Sequence, residues 1–229
     1  MMKISIICPC YNEEPTAKNT VLDLIEKTKS INKEIIVVDD GSSDNSYNTL
    51  KNISNIILLK HPINKGKGAA FKTGVKYSKG EIIIPFDLDG EYDAMDIIKC
   101  CQPILDGKAE VVYGSRRLEK SNKQYSGLSY YIGGTGLTII TNLLYGSNIS
   151  DEPNCLKVCK KKLFEELKIE CDRFDWEPEL TAKILKKGIK IFDVPVKYFP
   201  RDKEAGKKIK WKDGVSAVLT LLKWRFKRL

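Results

Sequence analysis

An α/β fold with a mostly parallel central sheet flanked by helices follows from three features of the sequence. Short runs that are apolar almost without a break, and rich in β-branched residues, read as strands buried on both faces. Helical patterns alternate with them, which gives a layered sheet. A polar cluster follows most of these runs, and in such sheets ligands gather beyond the carboxyl ends of the strands.

The strand-like runs are KISIIC at 3–8, EIIVV at 34–38, IILL at 56–59, IIIPF at 82–86 and EVVY at 110–113. Helical patterns occupy 16–28, where Val21, Leu22 and Ile25 share a face, then 46–53, 68–77 and 95–105. The second half is less regular. Helices are expected at 130–145, 160–167 and 177–187, and a strand kinked at Pro195 over 189–198. A basic loop covers 200–210, and a final helix runs over 211–229. No repeat or low-complexity linker interrupts the chain, so one domain is expected. Its expected parts are 1–117, then 118–210 with the basic loop, and a terminal helix at 211–229.

Bulk composition narrows the function. The chain has 229 residues, is 42% hydrophobic and carries a net charge of +9, which favours anionic partners. No nucleic-acid-binding motif accompanies that charge. The seven cysteines are odd in number, follow no secretory leader and lack paired zinc spacing, so a reducing cytosol and buried thiols are expected. No apolar run reaches the ~18 residues of a membrane span. Residues 132–145 come nearest and read as a packed helix.

Chemistry concentrates after the strands. Asp87 and Asp89 share a face at i and i+2, with Glu91 and Asp93 close behind. Such carboxylates repel unless a cation joins them, so the pair reads either as a ligand set for Mg²⁺ or Mn²⁺ with a diphosphate or as a solvated acidic turn. Asp39-Asp40-Gly41-Ser42 offers a carboxylate to ribose hydroxyls or a base edge, with Asp44 as a cap for the next helix. Asn64-Lys65-Gly66-Lys67-Gly68 is either a phosphate contact or a tight turn of small residues. Arg116 and Arg117, then Arg201, Lys207, Lys208 and Lys210, could bind phosphate or stand as solvated charge. His61, the single histidine, reads as structural or peripheral. In the last helix Val215, Val218, Leu219, Leu222 and Phe226 recur at helical spacing among lysines and arginines. That helix either lies in a membrane interface or packs on the domain.

As an ordered set, Pro9-Cys10-Tyr11-Asn12-Glu13, Val38-Asp39-Asp40-Gly41-Ser42, Asp87-Leu88-Asp89, Gly114-Ser115-Arg116, Ser150-Asp151 and Arg201 with Lys207 resembles the inverting family 2 glycosyltransferases of GT-A fold. Within them it looks most like the dolichyl-phosphate mannose synthase branch. The resemblance implies a nucleotide pocket at Pro9, Tyr11, Glu13, Val38 and Asp40, and a metal–diphosphate motif at Asp87, Leu88 and Asp89. It implies a role near the donor and acceptor phosphates for Arg116, and a closing basic loop at Arg201 and Lys207. Mg²⁺ or Mn²⁺ is the implied cofactor. GDP-mannose or UDP-glucose is the implied donor and a polyprenyl or dolichyl phosphate the implied acceptor. The protein would then work at the cytoplasmic membrane face, with or without an anchoring partner. The chain departs from the branch at Glu152-Pro153-Asn154-Cys155-Leu156-Lys157, where the branch has Thr-Gly-Ser-Phe-Arg, and at Glu177, where it often has Gln. Both changes fall on the acceptor side. A saccharide hydroxyl acceptor would need a base, from Glu177, Glu179 or Asp175. A non-catalytic sugar-nucleotide-binding module is the remaining alternative.

Overall fold

The computed structural model describes residues 2–122, 127–201, 208 and 211–228. The chain runs β1 (Ile4–Cys10), α1 (Ala17–Lys27), β2 (Lys33–Asp39), α2 (Ser46–Leu50), β3 (Ile57–Lys60), α3 (Lys67–Tyr77), β4 (Ile82–Pro85), α4 (Met95–Leu105) and β5 (Val111–Ser115). It continues through α5 (Leu128–Tyr145), β6 (Lys157–Lys160), α6 (Lys161–Leu167), α7 (Trp176–Lys186), β7 (Ile191–Pro195) and α8 (Trp211–Phe226).

Seven strands form one sheet in the order β3-β2-β1-β4-β6-β5-β7. β1 pairs in parallel with β2 on one side and β4 on the other, and β5 pairs in parallel with β7. Only β6 runs against its neighbours. The strands are buried on both faces because alternate side chains feed two cores. From β1, Ile4, Ile6, Cys8 and Cys10 pack with Val21 and Leu24 of α1 and Ile97 of α4. Ile7 points the other way, to Phe71 of α3 and Trp176 and Leu180 of α7. The approach of α3 to the sheet requires Gly74: a Cβ there would lie 2.3 Å from Cγ2 of Ile7. Six of the cysteines are buried and all are free thiols, with Cys171 half-buried.

Three elements differ from the sequence reading. β6 was not foreseen, because KVCK carries lysines at both ends. Lys157 is nevertheless buried, its Nζ donating to the Glu152 carbonyl at 2.6 Å and lying 4.0 Å from the Tyr113 ring centre. Helix α5 packs as expected over 132–145, with Leu137, Ile140, Leu144 and Tyr145 against Ala182, Leu221 and Trp224, but on one side alone. Only Thr138 and Thr141 are buried, while Leu128, Ile132, Ile139 and Leu143 are exposed. In α8 the helical stripe is likewise the outer one. Ala217, Thr220, Leu221 and Trp224 turn inward instead, toward α5 and α7.

The sheet order reverses at β1, since β2 and β3 lie to one side and β4 to the other. The loops after β1, β2 and β4 therefore meet at one carboxyl edge, where an open α/β sheet forms a crevice.

Candidate active site

A cavity of about 560 Å³ opens at that edge. The turn after β1 lines it with Tyr11 and Glu13, where Asn12 takes a positive φ of 49°. The turn after β4 contributes Asp87, Leu88, Asp89 and Glu91. β5 runs into Arg116, and α3 opens with Lys67. Pro9 and Asp40 complete the wall nearest β1 and β2. Val38 does not reach the cavity. Its side chain is wholly buried with Ile36 and Ala70 on the α3 side of the sheet.

The carboxylates fall into two clusters, each held by a cation. Lys67 Nζ lies 2.8 Å from Asp87 Oδ2 and 2.9 Å from Glu177 Oε1. Burial opposes its charge, but Asp87 and Glu177 raise its pKa well above the usual lysine range. Arg201 spans the other cluster. Its guanidinium donates to Glu13 Oε2 at 3.0 Å and to Asp89 Oδ2 at 3.1 Å, and its backbone N–H donates to Glu91 Oε1 at 3.1 Å. Lys208 adds a 2.6 Å pair with Glu13. Lys207 and Lys210 lie outside the described residues.

Even with Arg201 beside it, Asp89 is short of positive charge. Burial first, then the charges of Asp87 and Glu91, push its pKa up to about 7. Among the described residues no group of three or more His, Cys, Asp or Glu is disposed around a metal position. Two carboxylates suit a different kind of site, in which Mg²⁺ or Mn²⁺ takes one or two protein oxygens and completes its shell with phosphate oxygens and water. The crowding that raises Asp89 fits such a cation, and Asp87 and Asp89 are the residues that would hold it.

Asp40, the carboxylate offered to ribose or base, borders the cavity, and its oxygens also hold the neighbouring loop. Oδ1 accepts from the Lys65 N–H at 2.9 Å and contacts His61 Nδ1 at 2.7 Å, and Oδ2 accepts from the Gly66 N–H at 2.8 Å. His61 is thus structural, linking Asp40 to Thr73 Oγ1 at 3.0 Å. Asp40 shapes the 61–66 loop that delivers Lys67. Gly66 in that loop has φ +108°, and a Cβ on it would sit 2.3 Å from the Asp172 carbonyl. Both readings of the glycine-rich stretch therefore apply, as a tight packed turn that also aims a cation. Asp44 caps the start of α2, accepting from the Ser46 N–H at 2.9 Å.

Arg116 makes a two-pronged pair with Asp151, Nε to Oδ2 at 2.7 Å and NH2 to Oδ1 at 2.8 Å, and stacks 5.2 Å from the Tyr198 ring centre. Against the upward push of burial, Arg116 holds Asp151 below the usual carboxylate range. Arg117 turns away to Thr135. Of the three possible bases, only Glu177 lines the cavity. Glu179 is fully buried, accepting from the Glu170 and Cys171 N–H groups and pairing with Lys183 at 2.7 Å. Asp175 stands at the N-terminus of α7, outside the cavity lining. Arg173, Tyr198 and Asp213 also line the cavity. They sit in irregular or terminal segments without a motif, so no local sequence signal singled them out.

Known proteins resemble this chain in sequence and in fold. A UDP-N-acetylglucosamine–dolichyl-phosphate N-acetylglucosaminyltransferase of Methanococcus voltae is 34% identical over 215 residues, covering 85% of this chain and 84% of its own. A dolichyl-phosphate β-glucosyltransferase of Trichomonas vaginalis is 29% identical over 242 residues, covering 96% and 72%. Glucosyl-3-phosphoglycerate synthase from Mycobacterium tuberculosis, crystallised with Mg²⁺ and UDP, superposes with a TM-score of 0.75 at 18% identity over 97% of this chain and 79% of its own. That likeness establishes the shared fold. The family model for glycosyl transferase family 2 matches residues 5–168, so with its GT-A fold and its acidic, cation-laced crevice the chain belongs to glycosyl transferase family 2.

Proposed function

We propose that this glycosyltransferase moves a sugar, with inversion, from a nucleotide-diphosphate sugar to the phosphate of a polyprenyl or dolichyl lipid. The acceptor class rests on one observation: Glu177, the only candidate base that lines the cavity, is held by the Lys67 ammonium at 2.9 Å. A hydroxyl acceptor must lose its proton to a base, whereas a phosphate monoester is already ionised and needs none. The named relatives act on dolichyl phosphate, which supports the same reading. Their names also favour UDP-N-acetylglucosamine or a glucose donor over GDP-mannose.

Residues 1–117 supply the donor side and the later chain the acceptor side. A phosphate oxygen of the lipid attacks the anomeric carbon from the face opposite the diphosphate. The bond from that carbon to the diphosphate oxygen breaks, and its electron pair leaves with the nucleotide diphosphate. Mg²⁺ or Mn²⁺ held by Asp87 and Asp89 would neutralise charge on the departing diphosphate. Arg201 and Lys207 would add to that stabilisation, and Arg116 would orient the phosphates. Among the described residues no helix is long and apolar enough to cross a membrane. Contact with the lipid acceptor is therefore proposed to be peripheral, at the cytoplasmic face, alone or through an anchoring partner.

The test is transfer of label from UDP-N-acetylglucosamine, UDP-glucose or GDP-mannose, with Mn²⁺, to a short, water-soluble polyprenyl phosphate. Lipid-linked label that is absent from an Asp89→Asn variant is the expected result. Transfer to a saccharide hydroxyl in place of the lipid phosphate would overturn the reading. Binding of the donors without any turnover would leave the chain a sugar-nucleotide-binding module.

A further inference from the structure

Helix α5 contains no charged residue, yet much of it is uncovered. At 3.6 residues per turn, Leu128, Ile132, Ile139 and Leu143 fall within about 60° of one another, on the side away from buried Thr138 and Thr141. Their exposures are 74, 60, 53 and 79%. Next to it, α8 repeats the pattern. Val215, Leu219, Leu222 and Phe226 form an outer stripe opposite buried Leu221 and Trp224. The two helices are joined through Tyr145, whose hydroxyl donates to the Leu221 carbonyl at 2.6 Å, and through an apolar cluster at Leu221 and Trp224. An isolated exposed leucine is ordinary, but two such stripes on helices packed together are the mark of an interaction surface.

We propose that α5 and α8 together form a docking surface for the interfacial zone of an anionic bilayer leaflet, with α5 an equal part of it. Charge decides between occupants. Lys212 and Arg225 are exposed on the two flanks of the α8 stripe, an arrangement that complements acidic headgroups while the apolar side chains enter the acyl boundary. A protein partner would have no need of cations on both flanks of its apolar contact. Both helices also reach toward the cavity on the sides opposite their stripes. Asp213 in the first turn of α8 lines it, and Gly134 of α5 packs so closely on the lining residue Pro153 that a Cβ would sit 3.2 Å from its ring. Docked this way, the cavity opens beside the headgroups, where the phosphate of a lipid acceptor lies. In that respect the inference rests on the proposed acceptor.

The experiment uses vesicles of phosphatidylcholine with about 30% phosphatidylglycerol, free of polyprenyl phosphate, so that docking is read independently of the acceptor. Co-sedimentation is measured for the full chain, for an Ile139→Glu/Leu143→Glu variant in α5, for a Leu219→Glu/Phe226→Glu variant in α8, and for Leu22→Glu on α1 as a surface control. Trp211, the exposed tryptophan at the start of α8, reports insertion through a blue shift in its emission. Circular dichroism confirms folding, and Ile139→Ser/Leu143→Ser replaces the α5 glutamates should they unfold the chain. The expected result is vesicle binding with a blue shift, weakened at least about tenfold by either helix's variant, unaffected by Leu22→Glu and lowered by salt. An α5 variant that binds like the unmodified chain overturns the proposal. So does an absence of vesicle binding, whether the chain remains monomeric or self-associates through α5. Transfer to the soluble lipid phosphate could succeed in either case, so loss of the docking surface and loss of the acceptor assignment are separate outcomes.

Discussion

Replacing Asp89 by asparagine should stabilise the metal-free protein at neutral and alkaline pH. In the unfolded chain this carboxyl titrates near 3.8, and in the fold its pKa is pushed up to about 7. Below 3.8 it is protonated in both states. Above that, the unfolded chain releases the proton while the fold retains it, so stability falls with rising pH until about 7 and then levels off. The rise is roughly three units, and at ~1.36 kcal/mol per unit the ionised carboxylate costs the fold about 4 kcal/mol. Asparagine removes that cost and keeps an oxygen for the Glu91 N–H, which Asp89 now accepts at 3.0 Å. The 3.1 Å pair with Arg201 that asparagine weakens is already counted in that shift, since Arg201 pulls the pKa down. The gain is therefore up to about 4 kcal/mol, or roughly 8 to 16 °C in melting temperature for a chain of this size. Urea denaturation in EDTA at pH 4 and at pH 8 measures it. The variant should be more stable at pH 8, and the gap should close at pH 4. Adding Mn²⁺ at pH 8 should narrow it again, because only the unmodified pair gains a ligand. A variant no more stable than the parent at pH 8, or a gap that ignores pH, would refute the argument.

Three further changes probe the same cavity. Glu177→Gln should lower kcat less than about tenfold, whereas removal of a working general base costs about 10² to 10⁴ and erases a limb of the pH–rate profile. Lys67→Met strands Asp87 and Glu177 without their shared cation and should cost about 3 kcal/mol or more in EDTA, with part restored by Mn²⁺ in a thermal melt. Gly66→Ala forces a Cβ against the Asp172 carbonyl at a φ of +108°, and should lower stability by about 2 kcal/mol or more while weakening binding of the UDP donor by calorimetry.

The parts of the fold that sequence exposed are those buried on both faces. β1, β2 and β4 sit in the middle of the sheet, so their apolar runs are unbroken and could not be mistaken for amphipathic segments. β6 sits there too but was hidden, because Lys157 is satisfied by the Glu152 carbonyl and the Tyr113 ring rather than by solvent. The site divides the same way. Tyr11, Glu13, Asp87 and Asp89 follow strands, and the topology alone carries them to one edge. Val38, two residues before Asp40, packs in a core with Ile36 and Ala70 rather than along the crevice. The Lys67–Glu177 pair was beyond reach, since it joins the first residue of α3 to the first turn of α7 and only tertiary packing brings them together. The outer stripe of α8 was legible as a period, but its direction was not. Both sides of that helix carry apolar side chains, and burial chose Leu221 and Trp224.

The charge balance of the cavity bears on how the donor enters. Among the described residues, Glu13, Asp40, Asp87, Asp89, Glu91, Glu177 and Asp213 line it, against Lys67, Arg116, Arg173, Arg201 and Lys208. Arg116 is already committed to Asp151, which leaves the acids further in excess. A bare nucleotide diphosphate would bring more negative charge to a wall where one carboxyl, Asp89, already resists ionisation at pH 7. Like charges at close range in a partly desolvated site are unfavourable unless a cation accompanies them. Donor and divalent cation should therefore bind with positive coupling, each improving the other's affinity by the same factor. Coupling of this kind is commonly about 1 to 3 kcal/mol, or roughly 5- to 150-fold. Titration calorimetry with UDP, in EDTA and then in Mn²⁺, gives one side of the cycle, and Mn²⁺ titration with and without UDP gives the other. Equal UDP affinity in the two buffers would mean that Lys67 and Arg201 alone neutralise the diphosphate, and that Asp87 and Asp89 serve to hold those two cations rather than a metal.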